Sequence, residues 1–140
     1  MKSLVLFSFL LAFLQISNAQ ENILGVWKAV DDEDGEATSH IEIFEKEGLV
    51  YGKIVKILIG DSDALCDQCE GDKYNQPIQG MEIIWNMKAK GTKWVGGRIM
   101  DPKNGKTYKC KMQIKNGILE VRGYIGVPTL GRTQKWYRVE

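Results

Sequence analysis

The feature of this sequence that most constrains its fold is a repeated alternation of apolar and polar residues over short runs. Residues 107–114 show it well, because Tyr108, Cys110, Met112 and Ile114 fall on one side of an extended chain and the remaining residues fall on the other. Alternation of period two is typical of half-buried strands, and amphipathic stretches of helical length do not occur in residues 20–140. The pattern predicts about eight strands, at residues 23–30, 39–45, 49–58, 81–87, 94–100, 107–114, 119–124 and 132–139.

Turn residues separate most of these strands. The Asn-Gly pair at 116–117 is the strongest short hairpin signal, because both residue types tolerate the positive φ of a type I′ turn. The segment Asp-Pro-Lys-Asn-Gly at 101–105 suits a turn closed by a left-handed glycine. The Glu-Gly pair at 47–48 and the Lys-Gly pair at 90–91 also fit tight hairpins. Neighbouring strands are therefore expected to pair antiparallel.

A sheet of about eight hairpin-linked strands has two unpaired edges unless it closes on itself. We therefore predict an all-β fold, a single antiparallel up-and-down barrel, with a β-sandwich as the alternative. A barrel of this strand number has an interior that is either filled by side chains or able to hold one small ligand.

The first nineteen residues resemble an export signal. Lys2 gives a positive start, residues 4–14 are almost wholly apolar, and Ser17-Asn18-Ala19 offers the small residues that signal peptidase requires. The apolar run is shorter than the roughly 20 residues that span a bilayer, so an uncleaved anchor is the lesser alternative. We expect a signal peptide at residues 1–19 and one barrel domain at residues 20–140, exported to the periplasm or secreted. No stable membrane insertion is expected after cleavage.

Charge and motif content limit the functional classes. The chain has 19 basic and 18 acidic residues, and removing the signal segment takes away one lysine, which leaves no net charge. A nucleic-acid-binding protein usually has a basic surplus, so no nucleic-acid partner is expected. The sequence has a single histidine, His40, and no recognised hydrolase, nucleotide-binding or metalloprotease motif. We therefore predict no catalytic residues, no metal site and no cofactor, although catalysis without a familiar motif stays open.

The segment at residues 60–80 is too long for an ordinary hairpin connection and is acidic, and loops of this length are generally functional or disordered. Cys66 and Cys69 lie at its centre, three residues apart, and Cys110 is the third cysteine. The odd number allows at most one intramolecular disulfide. Pairing of Cys66 with Cys69, or of Cys110 with either, stays open, and Cys110 is expected to be a buried free thiol. A disulfide-stapled, solvated loop is favoured over half a zinc site or a redox pair.

Two groups of residues resemble known families. Gly25-Val26-Trp27 is similar to the Gly-x-Trp signature of lipocalin-like barrels, in which a basic residue of the last strand packs across the tryptophan and seals one barrel end. The resemblance implies that role for Arg132 or Arg138. A longer series resembles a family of small exported bacterial proteins known only as domain of unknown function 2147. The similarity covers about residues 25–138 and is carried by Gly97-Arg98-Ile99-Met100-Asp101-Pro102, Gly105-Lys106-Thr107-Tyr108, residues 121–128 and 130–134, Trp136 and Arg138.

This second resemblance implies a lipocalin-like barrel in the bacterial envelope or the medium, and it implies no reaction. Thr129 departs from the pattern, because a second leucine is expected there beside Leu130. Only the packing of that loop depends on this difference.

The candidate ligand-binding residues combine aromatic, arginine and loop positions. The arginines of the resembling motifs are able to grip a carboxylate or phosphate, or else to pair on the surface with acids such as Glu120. The apolar loop at 126–131 is expected to be either a lid over the barrel mouth or a corner folded over the core. The predicted ligand-binding set is Trp27, Trp85, Arg98, Tyr108, Arg122, Tyr124, Leu130 and Arg132.

Three functions remain from the sequence. The favoured one is a non-catalytic barrel that binds a small apolar or amphipathic molecule. The first alternative is a solid barrel, filled by its four tryptophans and five tyrosines, that contacts another envelope protein through its long loops. The second is a cysteine-based metal or redox site.

Overall fold

The structure, a computed structural model, describes residues 21–140, so the predicted signal at 1–19 lies outside the described residues. In this range no helix has the length and apolar character needed to cross a membrane. A single short 3-10 turn occupies Gly71–Lys73. The strands are β1 (Gly25–Val30), β2 (Ala37–Lys46), β3 (Leu49–Ile57), β4 (Glu82–Lys90), β5 (Lys93–Asp101), β6 (Lys106–Lys115), β7 (Ile118–Tyr124) and β8 (Gly131–Arg138).

The eight strands form one closed barrel in sequence order. Each strand pairs antiparallel with the next, and β1 also pairs with β8, where Trp27 lies opposite Arg138. Closure removes the free edges that an open sheet of this size would expose. The predicted up-and-down barrel is confirmed and the sandwich alternative is excluded.

The tight turns after β2 and β6 have the backbone geometry that their residues predict. The turn after β4 consists of Gly91 and Thr92 and not of the predicted pair at 90–91, because Lys90 still pairs with Lys93. Asn116 and Gly117 both have positive φ, at 52° and 75°, as a type I′ turn requires. Glu47 and Gly48 do the same, at 53° and 79°. These turns bring neighbouring strands into register without a long connection.

Large apolar side chains fill much of the barrel interior. At Gly52 a side chain would crowd this core, because a Cβ there would lie 3.0 Å from Ile84 Cδ1 and 3.1 Å from Ile43 Cδ1. Each large apolar side chain that is buried in the interior stabilises the fold by about 1.5–3 kcal/mol, because it is removed from water. The largest fully buried side chains include Trp27, Trp136, Ile41, Ile43, Ile84, Met87, Met112 and Leu119.

The two barrel ends differ. The end at which β1 begins, which we call the closed end, has the three two-residue turns after β2, β4 and β6. Longer connections at residues 31–36, 58–81, 102–105 and 125–130 lie at the opposite end, which we call the open end. The open end therefore carries the longer connections between strands.

A cation–π contact seals the closed end. The Arg138 guanidinium carbon lies 4.0 Å from the ring centroid of Trp27, which has no exposed surface. The guanidinium also donates to the carbonyls of Leu24, at 2.9 Å, and Asn22, at 2.6 Å. Gly25 has φ +124°, and a Cβ there would lie 3.0 Å from Arg138 Nη1, so this position favours glycine. The basic residue implied by the Gly-x-Trp resemblance is therefore Arg138 and not Arg132.

Candidate functional site

The open end is lined by half-buried side chains that project inward from several strands. Tyr108 on β6 continues the inward row that contains the buried Cys110. Gly123 on β7 lies beside it, and a Cβ there would be 3.5 Å from both Ile99 Cγ2 and Tyr108 Cβ. That spacing is an ordinary van der Waals contact, so a methyl group at Gly123 would fit beside Tyr108 without crowding it.

The polar groups at this end are held by the loops. Asn104 Nδ2 donates to the Tyr108 hydroxyl oxygen at 3.2 Å, which leaves the hydroxyl proton of Tyr108 free to be donated. Arg132 is fixed by Asp32, to which Nε and Nη2 donate at 2.8 and 2.7 Å, and Nη1 lies 3.1 Å from Glu33. The hydrogen bonds from Arg132 hold the pKa of Asp32 below its ordinary value, and the same contact raises the pKa of Arg132.

The connection at residues 125–130 carries exposed apolar side chains. Ile125, Val127 and Leu130 are 66%, 54% and 65% exposed. Arg122 on β7 anchors this loop to the barrel wall, because its Nε donates to the Pro128 carbonyl at 2.7 Å. The loop is therefore not a corner folded over the core, and its apolar tips face the solvent at the open end.

The acidic connection between β3 and β4 is stapled and anchored to the barrel. Cys66 and Cys69 form a disulfide, and both residues are buried. Cys66 Sγ lies 3.7 Å from the Pro102 carbonyl oxygen, and Cys69 Sγ lies 3.8 Å from Met100 Sδ. The predicted staple is confirmed, but the loop is only partly solvated, because its acidic residues are exposed while its centre packs against the barrel wall.

A glycine in the next turn permits this docking. Gly105 has φ +70°, and a Cβ on it would overlap the backbone carbonyl of Gln68. The glycine that closes the 101–105 turn therefore also makes room for the disulfide loop.

The third cysteine, Cys110, is free and buried, as predicted. Burial raises the pKa of its thiol to about 12, so the thiol stays protonated and unreactive. Across residues 21–140, no group of three or more histidine, cysteine or acidic residues is arranged to hold a metal ion.

The predicted ligand-binding residues lie in separate places. Trp27 is buried at the closed end. Trp85 and Arg98 are cross-strand neighbours on the outer wall, at a depression of about 240 Å³ that includes Gly97 and Thr107.

The other five of these residues lie toward the open end. Tyr108 and Arg132 occupy inward-facing positions there, and Leu130 is on the exposed loop. Arg122 and Tyr124 alternate with the buried Val121 and therefore face outward from β7. The eight residues do not form one pocket, and their binding roles stay predictions.

Sequence reasoning missed the acids that hold Arg132. The acidic run at 31–34 forms the turn after β1. Asp32 and Glu33 contact Arg132 across a sequence separation of about a hundred residues, a pairing that depends on the closure of β1 against β8. The Glu120 expected to pair with arginine instead lies 3.4 Å from Lys115.

A second outer-wall depression, of about 330 Å³, lies between the acidic connection and the start of β4. Its lining is mostly polar and it is widely open to solvent. Its lining residues are Asp72, Lys73, Gln76, Pro77, Gln79, Gly80, Met81 and Glu82.

The closed eight-stranded barrel with its Gly-x-Trp–Arg seal places the chain in the class of lipocalin-like barrels. A family model described as "Uncharacterized protein conserved in bacteria (DUF2147)" matches residues 25–138, and the chain belongs to that family. Among solved structures, protein HP1028 from Helicobacter pylori, described as belonging to the lipocalin family, is similar with a TM-score of 0.76. The two chains are 19% identical over 85% of this chain and 84% of that one, a level at which the likeness concerns the fold alone. No curated protein matches the sequence.

Proposed function

We propose that this protein is a non-catalytic binder of a small apolar or amphipathic molecule, which it holds at the open end of the barrel. The observation that carries the proposal is the exposure of apolar side chains on two connections at this end. Leu58 and Ile59 follow β3 and are 36% and 44% exposed, and residues 125–130 follow β7. In a ring of eight strands β3 and β7 are opposite one another, so apolar tips stand on both sides of the mouth.

The mouth also offers a polar anchor. The Tyr108 hydroxyl has its proton available, and the Arg132 guanidinium lies close to the rim with its charge balanced by Asp32 and Glu33. An amphipathic ligand would place its polar group beside Tyr108 and its apolar part between the exposed tips. This arrangement is typical of small-molecule sites, where apolar contacts give affinity and a few polar groups fix orientation.

The filled interior limits the ligand's depth. Trp27, Trp136 and Met112 are fully buried and occupy space that a deep ligand would need. The ligand is therefore expected to be short or to leave part of its length between the loops. Export to the periplasm or the medium belongs to the same proposal, and its support is the signal-like segment at residues 1–19.

The test is a titration of the purified mature protein with fatty acids of several chain lengths and with uncharged fluorescent apolar probes. Binding is measured by tryptophan quenching and by the increase in Tm at saturation. The variant Val127→Ser/Leu130→Ser should weaken binding by about 5- to 30-fold, because it removes part of the apolar area that two side chains contribute. Tyr108→Phe should weaken the binding of fatty acids and leave the binding of uncharged probes unaffected.

The matched control is Leu65→Ser/Tyr74→Ser, which removes two side chains of similar exposure from the acidic connection, 50% and 55%. It should leave binding unchanged. Failure of the native protein to bind any ligand of the panel would refute the proposal, and so would an equal loss in the control variant.

The filled interior favours a second candidate function, contact with another envelope protein through the long loops. In that case the apolar panel gives no binding, and a purified partner binds the native protein. That partner should bind Val127→Ser/Leu130→Ser or Leu65→Ser/Tyr74→Ser less tightly, which would identify the connection that it contacts.

A further inference from the structure

The outer wall of β5, β6 and β7 carries two pairs of like charges. Arg98 lies directly opposite Lys109, and Lys111 lies directly opposite Arg122. All four alternate with inward-facing residues such as Cys110 and therefore project outward. Like charges that face each other across a ladder destabilise a sheet, so this surface has an unfavourable electrostatic energy. We refer to Arg98, Lys109, Lys111 and Arg122 as the basic wall.

These cations have no carboxylate partners. Among residues 21–140, every ion pair involves other basic residues. The nearest acid along β7 is Glu120, on the same face as Arg122, and it pairs with Lys115 at 3.4 Å. Other acids concentrate at residues 31–34 and in the connection at 60–80, and the chain has nearly balanced charge overall. The basic wall is therefore a local surplus of positive charge that an external anion would relieve.

The basic wall adjoins the exposed apolar loop. Lys109 Nζ donates to the Gly126 carbonyl at 3.4 Å, and Arg122 Nε donates to the Pro128 carbonyl at 2.7 Å. Two of the four cations thus contact the base of the loop that carries Val127 and Leu130. Tyr124, which pairs with Lys109 on the outer face, lies between the charges and the loop.

We propose that the basic wall and the apolar loop at 125–130 together form a docking surface for an anionic lipid bilayer. The cations contact lipid phosphates, and the apolar tips enter the boundary between headgroups and acyl chains. This combination distinguishes a bilayer from an acidic polysaccharide, which would pair with the cations but would have no apolar layer for Ile125, Val127 and Leu130. The proposal goes beyond the binding of a small molecule at the mouth, since Arg98 and Lys111 lie on the outside of the barrel.

The test is co-sedimentation of the mature protein with vesicles of phosphatidylcholine, with and without about one-third phosphatidylglycerol. The native protein should bind the anionic vesicles, and added salt should weaken the binding. Arg98→Gln/Lys111→Gln should lower the affinity by about fivefold for each cation removed, and therefore by about 25-fold in total. The Tm of this variant should be equal to or above that of the native protein, because a source of repulsion has been removed.

The charge-matched control is Lys28→Gln/Lys56→Gln, which removes two cations from the outward positions of β1 and β3 on the opposite wall. It should bind anionic vesicles as the native protein does. Val127→Ser/Leu130→Ser should also reduce vesicle binding while retaining the salt dependence.

Four outcomes would overturn the proposal. They are equal losses in the two charge variants, equal binding to vesicles without phosphatidylglycerol, binding of an acidic polysaccharide but not of vesicles, and binding of inorganic phosphate alone. The titration with soluble fatty acids distinguishes this surface from the mouth. Lys111→Gln removes a cation of the basic wall that is not among the predicted ligand-binding residues. It should weaken vesicle binding about fivefold and leave the fatty-acid titration unchanged.

Discussion

Replacing Arg138 with methionine should open the sealed end of the barrel. The substitution retains an apolar stem and removes three interactions, namely the 4.0 Å contact with the Trp27 ring and the hydrogen bonds to the carbonyls of Leu24 and Asn22. A partly exposed cation–π contact contributes about 0.5–2 kcal/mol. Each hydrogen bond contributes about 0.5–1.5 kcal/mol, toward the low end where solvent can replace the donor. The expected loss in the free energy of unfolding is therefore about 2–3 kcal/mol.

The assay is urea unfolding followed by tryptophan fluorescence, with Tm as a second measurement. For a domain of this size the loss corresponds to a decrease of roughly 8–12 °C in Tm. Arg138→Lys retains the cation but not the planar fork, so it should lose about half as much. Arg98→Met is the matched control, because Arg98 is an exposed strand arginine without a carboxylate partner. It should not destabilise the protein, since it also removes the repulsion between Arg98 and Lys109. If Arg138→Met costs no more than Arg98→Met, the proposed seal does not stabilise the barrel.

Three further predictions concern other parts of the molecule. Gly105→Ala should cost about 2 kcal/mol or more in urea unfolding, because alanine is strained at φ +70° and its Cβ would overlap the Gln68 carbonyl; a cost within about 0.5 kcal/mol would contradict the docked position of the loop. Cys110, whose pKa is raised to about 12 by burial, should resist alkylation in the native protein. Mass spectrometry should then find one adduct in urea and three when a reductant is added, and rapid native labelling would contradict the buried position. The pKa of Asp32 is lowered in the folded state by its pairing with Arg132. The pairing therefore stabilises the protein fully at pH values above the unfolded-state pKa, near 3.8, and this stabilisation is lost as the pH falls through the lower pKa of the folded state. Asp32→Asn should accordingly cost about 0.5–1 kcal/mol at neutral pH and nothing in strong acid, whereas a cost independent of pH would refute this assignment.

The sequence predicts the strands and turns well because their signals are local. Alternation identifies which residues of β6 face inward, and the positive φ of Asn116 and Gly117 follows from residue type alone. The predicted strand ranges consequently differ from the observed ones by only a few residues at their ends. Closure was inferable as well, because strand number and the avoidance of free edges do not depend on details of packing.

The candidate sites were less predictable because they depend on register and on long-range packing. Arg132 and Arg138 lie on the same strand, and only the pairing of Trp27 with Arg138 decides which of them seals the barrel. The packing of Cys69 against Met100 has no periodic signal in either segment. The basic wall likewise requires the observed register of β5 with β6, since a shift of one residue would place Arg98 opposite a different side chain.

The stability of the basic wall bears on its role. Removing one member of each like-charge pair should raise the free energy of unfolding by about 0.2–1 kcal/mol for each pair relieved. A surface that served only to solubilise the barrel could exchange Lys111 for a neutral residue and become more stable without losing anything. If Arg98→Gln/Lys111→Gln is more stable than the native protein and still binds anionic vesicles equally well, the positive charges have no docking role. If it gains stability and loses vesicle binding, the native chain carries an electrostatic strain that its anionic partner relieves, which is the trade-off expected of a functional surface.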